Sequence, residues 1–225
     1  MRWYTNTRGE QRLWIEDAEL DELMETELRR SGFLPAAGGT SVNIERVLEK
    51  HLKVRLDQHA ELPDDVLGQT DFFANGRHEV RINRALTAAV EDEDECPPGV
   101  LGRWRATMAH EATHVLLHSR LFVDPAAQGE LWAAQGSTGS SRTLHRCLRR
   151  DVHLDGRGGT DWREVQANKG MAALLMPRTV FIERARAEMQ QLGVKEADAR
   201  PEHPLTDFRQ QPALPCDRDT VISIT

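Results

Sequence analysis

A chain of 225 residues with a formal net charge of −7 can bury one proper core and is too acidic to suit a nucleic-acid surface as its main business. No apolar run reaches the length of a membrane span, and the polar start from Met1 to Arg12 lacks the hydrophobic region of a secretory signal. Three scattered cysteines, Cys96, Cys147 and Cys216, form no C-x-x-C pair, which points to reduced thiols and a cytoplasmic protein.

Residues 13 to 30 read as an acidic amphipathic helix with Leu13, Ile15, Leu20, Leu23 and Leu28 loosely periodic. Acidic residues crowd its early turns, and Arg29-Arg30 match the dipole at its end before Ser31-Gly32 stops it. Leu34 to Thr40 is rich in Pro, Ala and Gly, a linker composition. A second helix is expected over Val42 to His51 with Ser41 as its cap, then a short strand over Leu52 to Leu56. Val66 to Ala74 and His78 to Asn83 flank Asn75-Gly76, the pair that favours a type I′ turn, so a β-hairpin is expected there. Residues 84 to 90 suggest a helical turn, and Glu91 to Glu95 an acidic loop.

Pro97-Pro98-Gly99 breaks the chain ahead of a helix whose apolar stripe runs through Leu101, Trp104, Met108, Ala112 and Val115. Beside that stripe lies His110-Glu111-Ala112-Thr113-His114, an H-E-x-x-H pattern. Side chains four apart on a helix share a face, so His110 and His114 can offer two imidazole nitrogens to one metal ion. Glu111 stands where its carboxylate can act on water beside that metal, as the base of a zinc hydrolase. The alternative is a pair of partly buried histidines bonded to backbone, with Glu111 solvated. Random placement would give the five-residue pattern with a probability of roughly a few per cent, so its context must decide.

Beyond this helix, residues 119 to 160 are polar and rich in Gly, Ser and Arg, with a loop composition at Gln135 to Ser141. Cys147 lies near His145 and His153; a second metal site or a thiolate brake on the first are options there, and an ordinary thiol the plainer one. Regularity resumes from Asp161 to Met176, where Pro177 ends or kinks a helix. A last helix is expected over Arg178 to Gln191, followed by a proline-rich tail from Arg200 that wraps the surface or stays disordered.

A catalytic zinc takes three protein ligands and keeps one position open. Leu117 and Arg120 occupy the places where the extended H-E-x-x-H-x-x-G-x-x-H form needs Gly and His, so that class is excluded. Glu164 on the helix from Asp161 is the natural third ligand, and Asn168, one turn on, could accept a hydrogen bond from a ligating imidazole. Asp161-x-x-Glu164 is equally a helix-capping arrangement. Asp151, Asp155, His118, His145 and His153 stay open as other ligands.

HEATHVLLH followed by DWREVQANKGMAALLMP resembles the ImmA/IrrE family of zinc metallopeptidases, where H-E-x-x-H precedes E-x-x-A-N and, further on, L-L-M-P. The resemblance spans about residues 40 to 180. It implies an α+β fold with a zincin-like metallopeptidase core: a small β-sheet with a hairpin packed on helices, the H-E-x-x-H helix, and a second ligand-bearing helix. It implies His110, His114 and Glu164 as metal ligands and Glu111 as the catalytic base. Zinc is the expected ion, with manganese also compatible with two imidazoles and a carboxylate. The chain then divides into an N-terminal acidic helix and linker of its own over 1–39, the peptidase domain over 40–192 and a tail over 193–225. Within the core, 119–160 is longer than in many members and reads as an insertion or lid. No counterpart of the small helix-turn-helix-like domain of many members is legible after residue 192.

The activity so implied is hydrolysis of a peptide bond in a specific protein, typically a transcriptional repressor; from charge and hydropathy no direct contact to nucleic acid or membrane is expected. The oxyanion donor is open among His118, His145, His153 and Arg163, and a hairpin edge is expected to bind substrate by strand addition. Two other functions fit the same residues. One is a metal-stabilised module that binds a repressor or toxin without cutting it; the other is a zinc hydrolase of a non-peptide substrate. The oligomeric state is not legible.

Overall fold

The computed structural model describes residues 1–5, 11–36, 39, 41–73, 77–92, 96, 99–123 and 162–192, and the backbone of 142–148. Two units are distinguished. Met1–Ala185 carries everything below except the end of the last helix; Arg186–Thr225 is described only over 186–192. The arrangement is α+β. The expected turn at Asn75-Gly76, the Gln135 to Ser141 loop and the tail from Arg200 lie outside the described residues.

Arg2–Thr5 (β1) and Gln11–Trp14 (β2) pair antiparallel, with Trp3 opposite Leu13. The helix expected from residue 13 therefore begins later, at Asp17–Ser31 (α1), because Leu13 and Trp14 are extended and paired. Glu19 accepts the Glu16 N–H at 3.2 Å at its start. Gly32, at φ 74°, closes it in the left-handed conformation that glycine adopts without strain. Leu20, Met24 and Leu28 are buried, while most of the acidic residues face outward.

The second helix starts at Ile44–Arg46 (α2) and widens into a π turn over Val47–His51. Its cap is Asn43, whose Oδ1 accepts the Arg46 N–H at 3.0 Å, rather than Ser41. The Ser41 hydroxyl is taken up elsewhere, accepting from Arg105 at 2.8 Å. Leu52 still bonds back to Val47, and Lys53 sits at φ 54°. The strand expected from Leu52 is thus delayed to Arg55–Ala60 (β3).

Val66–Phe73 (β4) and His78–Asn83 (β5) form the expected antiparallel pair, with Thr70 opposite Val80. Val66 to Phe72 are all buried, so both faces of β4 are covered. Asn83 joins β5 to Arg84–Glu91 (α3): its Oδ1 caps Ala85 N–H at 2.9 Å, while Nδ2 donates to the Val66 carbonyl at 2.8 Å.

Val100–Val123 (α4) is the central helix. Thr107 to Val115 are buried on every side, not along a stripe alone. Leu101, expected on the buried stripe, is 50 % exposed, because the first turn has not yet entered the core. Arg142–Leu148 (β6) gives part of the 119–160 segment a strand, antiparallel to β4. Trp162–Leu175 (α5) ends before Pro177, and Arg178–Gln191 (α6) follows.

The sheet order is β3-β5-β4-β6, with β3 parallel to β5 and the other neighbours antiparallel. Helix α4 packs on β4 on one side and on α5 on the other. Met108, Ala109, Ala112, Phe72, Val80, Ile82 and Leu174 meet in its core, where each large side chain contributes about 1.5–3 kcal/mol by burial. No described helix is long and apolar enough to cross a membrane.

Candidate metal centre

Burial of residues 107–115 of α4 on all sides leaves the polar residues there needing partners inside the protein. Thr107 and Thr113 bond back to the carbonyls of Arg103 and Ala109, both at 2.9 Å. His110, Glu111, His114 and His118 are fully buried and have no such local solution.

Helix α5 supplies it. Small residues at the crossing bring its backbone close to α4, and Gly170 faces Thr113 where a side chain would overlap. Glu164 then reaches both histidines, with Oε2 at 3.1 Å from His110 Nε2 and Oε1 at 3.5 Å from His114 Nε2. The two Nε2 atoms lie 3.0 Å apart. The Glu164 carboxylate is thus directed at the imidazoles; Asp161, its alternative capping partner, lies outside the described residues.

His110, His114 and Glu164 form the one group of metal-ligand type among the described residues. Three lone-pair-bearing atoms at this separation need a proton or a metal cation shared among them. Around a tetrahedral zinc with bonds of about 2.0–2.2 Å, neighbouring ligand atoms stand roughly 3.3–3.5 Å apart. The contacts of 3.0, 3.1 and 3.5 Å lie close to that spacing, and two nitrogens with a carboxylate are the donor set that zinc takes in hydrolytic sites. The residues fit the ion.

Each ring of the cluster is held from behind. His110 Nδ1 lies 3.0 Å from Asn168 Oδ1, the contact expected from their spacing. His114 Nδ1 lies 3.0 Å from His118 Nδ1. His118, a ligand and oxyanion-donor candidate by sequence, therefore stands on the side of His114 away from Glu164. Of His145 the backbone alone is described, opposite Thr70. His153, Asp151 and Asp155 lie outside the described residues, and Arg163 is placed on α5 one residue before Glu164.

Glu111 points to the sheet. The Thr70 hydroxyl of β4 donates to its Oε2 at 2.5 Å, while Oε1 is buried without a hydrogen-bond partner among the described residues. Gly68 makes room: a Cβ there would come within 2.9 Å of that oxygen. Burial pushes the Glu111 carboxyl up to about 7, against the opposing pull of the His110 ring and the Thr70 hydroxyl. Burial also disfavours a charged His110, but Glu164 and Glu111 outweigh it and raise that ring above its ordinary value. His114, deeper and beside two other rings, is held well below its ordinary value by burial first. Sequence reasoning missed Thr70 and Gly68.

Substrate docking by strand addition meets a constraint. Both hairpin edges are occupied, β5 by β3 and β4 by β6, so the outer edges of this sheet belong to β3 and β6. The chain matches no protein-family model, no curated protein and no solved structure.

Proposed function

We propose that the chain is a zinc-dependent endopeptidase acting on a specific intracellular protein, a repressor or similar regulator by the resemblance of its two motifs, and built on a zincin-like core. One observation carries the reading: a buried carboxylate with one anchored and one unpartnered oxygen beside a two-imidazole, one-carboxylate cluster. A structural metal site would be closed by four ligands, usually cysteine-rich, and would need no such neighbour.

His110, His114 and Glu164 would hold the ion, zinc or manganese. Zinc, when bound, supplies Lewis acidity toward a carbonyl oxygen and toward water. Thr70 fixes the Glu111 rotamer through Oε2 and leaves Oε1 as the basic atom. Glu111 takes a proton from the attacking water as the new C–O bond forms. It returns that proton to the leaving nitrogen as the C–N bond breaks.

The rival reading is a metal-stabilised module that binds its partner without cutting it. The complete burial of His110, Glu111 and His114 favours it, since substrate must reach these groups. Metal analysis of the wild type, Glu111→Gln and Glu164→Ala, with cleavage of a mixed peptide library, separates the two. The peptidase reading expects stoichiometric zinc in the first two, loss of it in Glu164→Ala, and cleavage by the wild type alone. Unchanged zinc in Glu164→Ala would remove the ligand set. Full zinc with no cleavage by the wild type would favour the binding module.

A further inference from the structure

A neutral imidazole binds a metal through one bare nitrogen and carries its proton on the other. His114 turns Nε2 toward His110 and Glu164, so with a metal bound there its proton belongs on Nδ1. That atom faces another ring nitrogen, His118 Nδ1, at 3.0 Å. One must donate and the other accept, so His118 Nδ1 is bare and its own proton sits on Nε2.

His118 Nε2 lies 3.1 Å from Gln166 Oε1, an acceptor in the right place. The orientation of that amide is fixed from the far side, where Gln166 Nε2 donates to the backbone carbonyl of Leu13 at 2.8 Å. A carbonyl can only accept. Every proton in the chain therefore points outward, from His114 through His118 and Gln166 to Leu13. His118 is fully buried, with Trp162 edge-on to its ring at 5.5 Å, so water does not replace these bonds readily. His110 has a separate and shorter support in Asn168.

We propose that His118 and Gln166 are positioning residues that set the metal-binding tautomer of His114 from the Leu13 carbonyl. Metal capture and the seating of the β1–β2 ribbon on α5 are then one coupled equilibrium. This rests on the metal-centre reading above. Coupling is reciprocal: whatever factor the seated ribbon adds to metal affinity, the metal adds to ribbon seating.

The test measures zinc affinity by competition with a chromophoric chelator, together with amide hydrogen exchange over Arg12–Ile15 with and without saturating zinc. The variants are Gln166→Met, His118→Phe, His118→Gln and Asn168→Leu. Gln166→Met and His118→Phe are expected to weaken zinc about 10–100-fold and to abolish its slowing of exchange in the ribbon. Asn168→Leu also weakens zinc but keeps that slowing once saturated, since its support does not run through Leu13. His118→Gln, whose amide can both accept and donate, recovers most of the affinity.

Wild-type affinity in Gln166→Met, or ribbon exchange indifferent to zinc in the wild type, would overturn the coupling. Should His118→Phe fail to fold, Gln166→Met decides alone, because Gln166 is only partly buried. A wild type that takes no zinc would remove the metal reading and this inference together. A wild type that takes it, with an unchanged Gln166→Met, removes only the inference.

Discussion

Gly170 crosses Thr113 so closely that a Cβ built on the glycine would overlap the threonine methyl and stand 2.9 Å from its hydroxyl oxygen. The Met24 methyl from α1 closes the third side at 3.1 Å. This is a close crossing of α4 and α5, six residues along the helix from Glu164. Gly170→Ala must push the helices apart, and overpacking of this kind costs about 1–3 kcal/mol. We expect a lower urea midpoint together with weaker zinc binding. An alanine variant as stable as the wild type would mean that the crossing yields without strain.

Thr70→Val keeps the shape of the side chain and removes the donor to Glu111 Oε2. Zinc content should be unchanged, because Thr70 touches no ligand. On the proposed peptidase reading, turnover of a peptide substrate should fall by about tenfold with KM little altered, the signature of a misaligned base. A fall in zinc content instead would place Thr70 in metal binding. Gly68→Ala should have the same effect by steric means, since its Cβ would press on both Glu111 and Thr107.

What was legible in the sequence follows local rules. The four-residue step from His110 to His114, and again from Glu164 to Asn168, put each pair on one helix face whatever the tertiary fold. Pro177 ended its helix for a reason internal to the residue. Thr70 lies 41 residues from Glu111, on a strand that no spacing rule ties to α4. Gly68 and the Gln166–Leu13 bond, 153 residues apart, are equally invisible before the chain is folded. Strand β6 arises in a stretch whose Gly and Ser content reads as loop, because its order comes from pairing with β4. Leu13 was misplaced in a helix for the converse reason: its apolar spacing suited either state, and the partner strand decided.

Glu25 of α1 gives the fold an acid-sensitive joint. Burial works to raise its carboxyl, but the Thr179 hydroxyl at 2.6 Å, the Thr179 N–H at 3.2 Å and Arg29 at 2.8 Å hold it below the ordinary 4.5. The carboxylate so caps the first turn of α6, where a negative charge is favoured. A depressed folded-state value means that this stabilisation is complete above pH 4.5 and is lost as pH falls through the lower value. Glu25→Gln should cost about 1–2 kcal/mol at pH 7. The gap to the wild type should shrink below pH 4.5; a gap that does not change with pH would show that Glu25 contributes packing alone.

Removal of metal should loosen the contact between α4 and α5 more than any other part of the molecule. On the proposed metal-centre reading, an ion would join the two helices through Nε2 and carboxylate atoms now 3.0–3.5 Å apart. An ion that binds only the folded chain stabilises it by about 2.7 kcal/mol at one hundred times its dissociation constant. A chelator should therefore lower the melting temperature of the wild type and of Glu111→Gln by similar amounts, since the base is not a ligand. It should leave Glu164→Ala nearly unmoved, because that variant has little ion to lose. Calorimetry of the three proteins with and without chelator makes the comparison. An equal chelator effect in Glu164→Ala would locate the bound ion elsewhere in the chain.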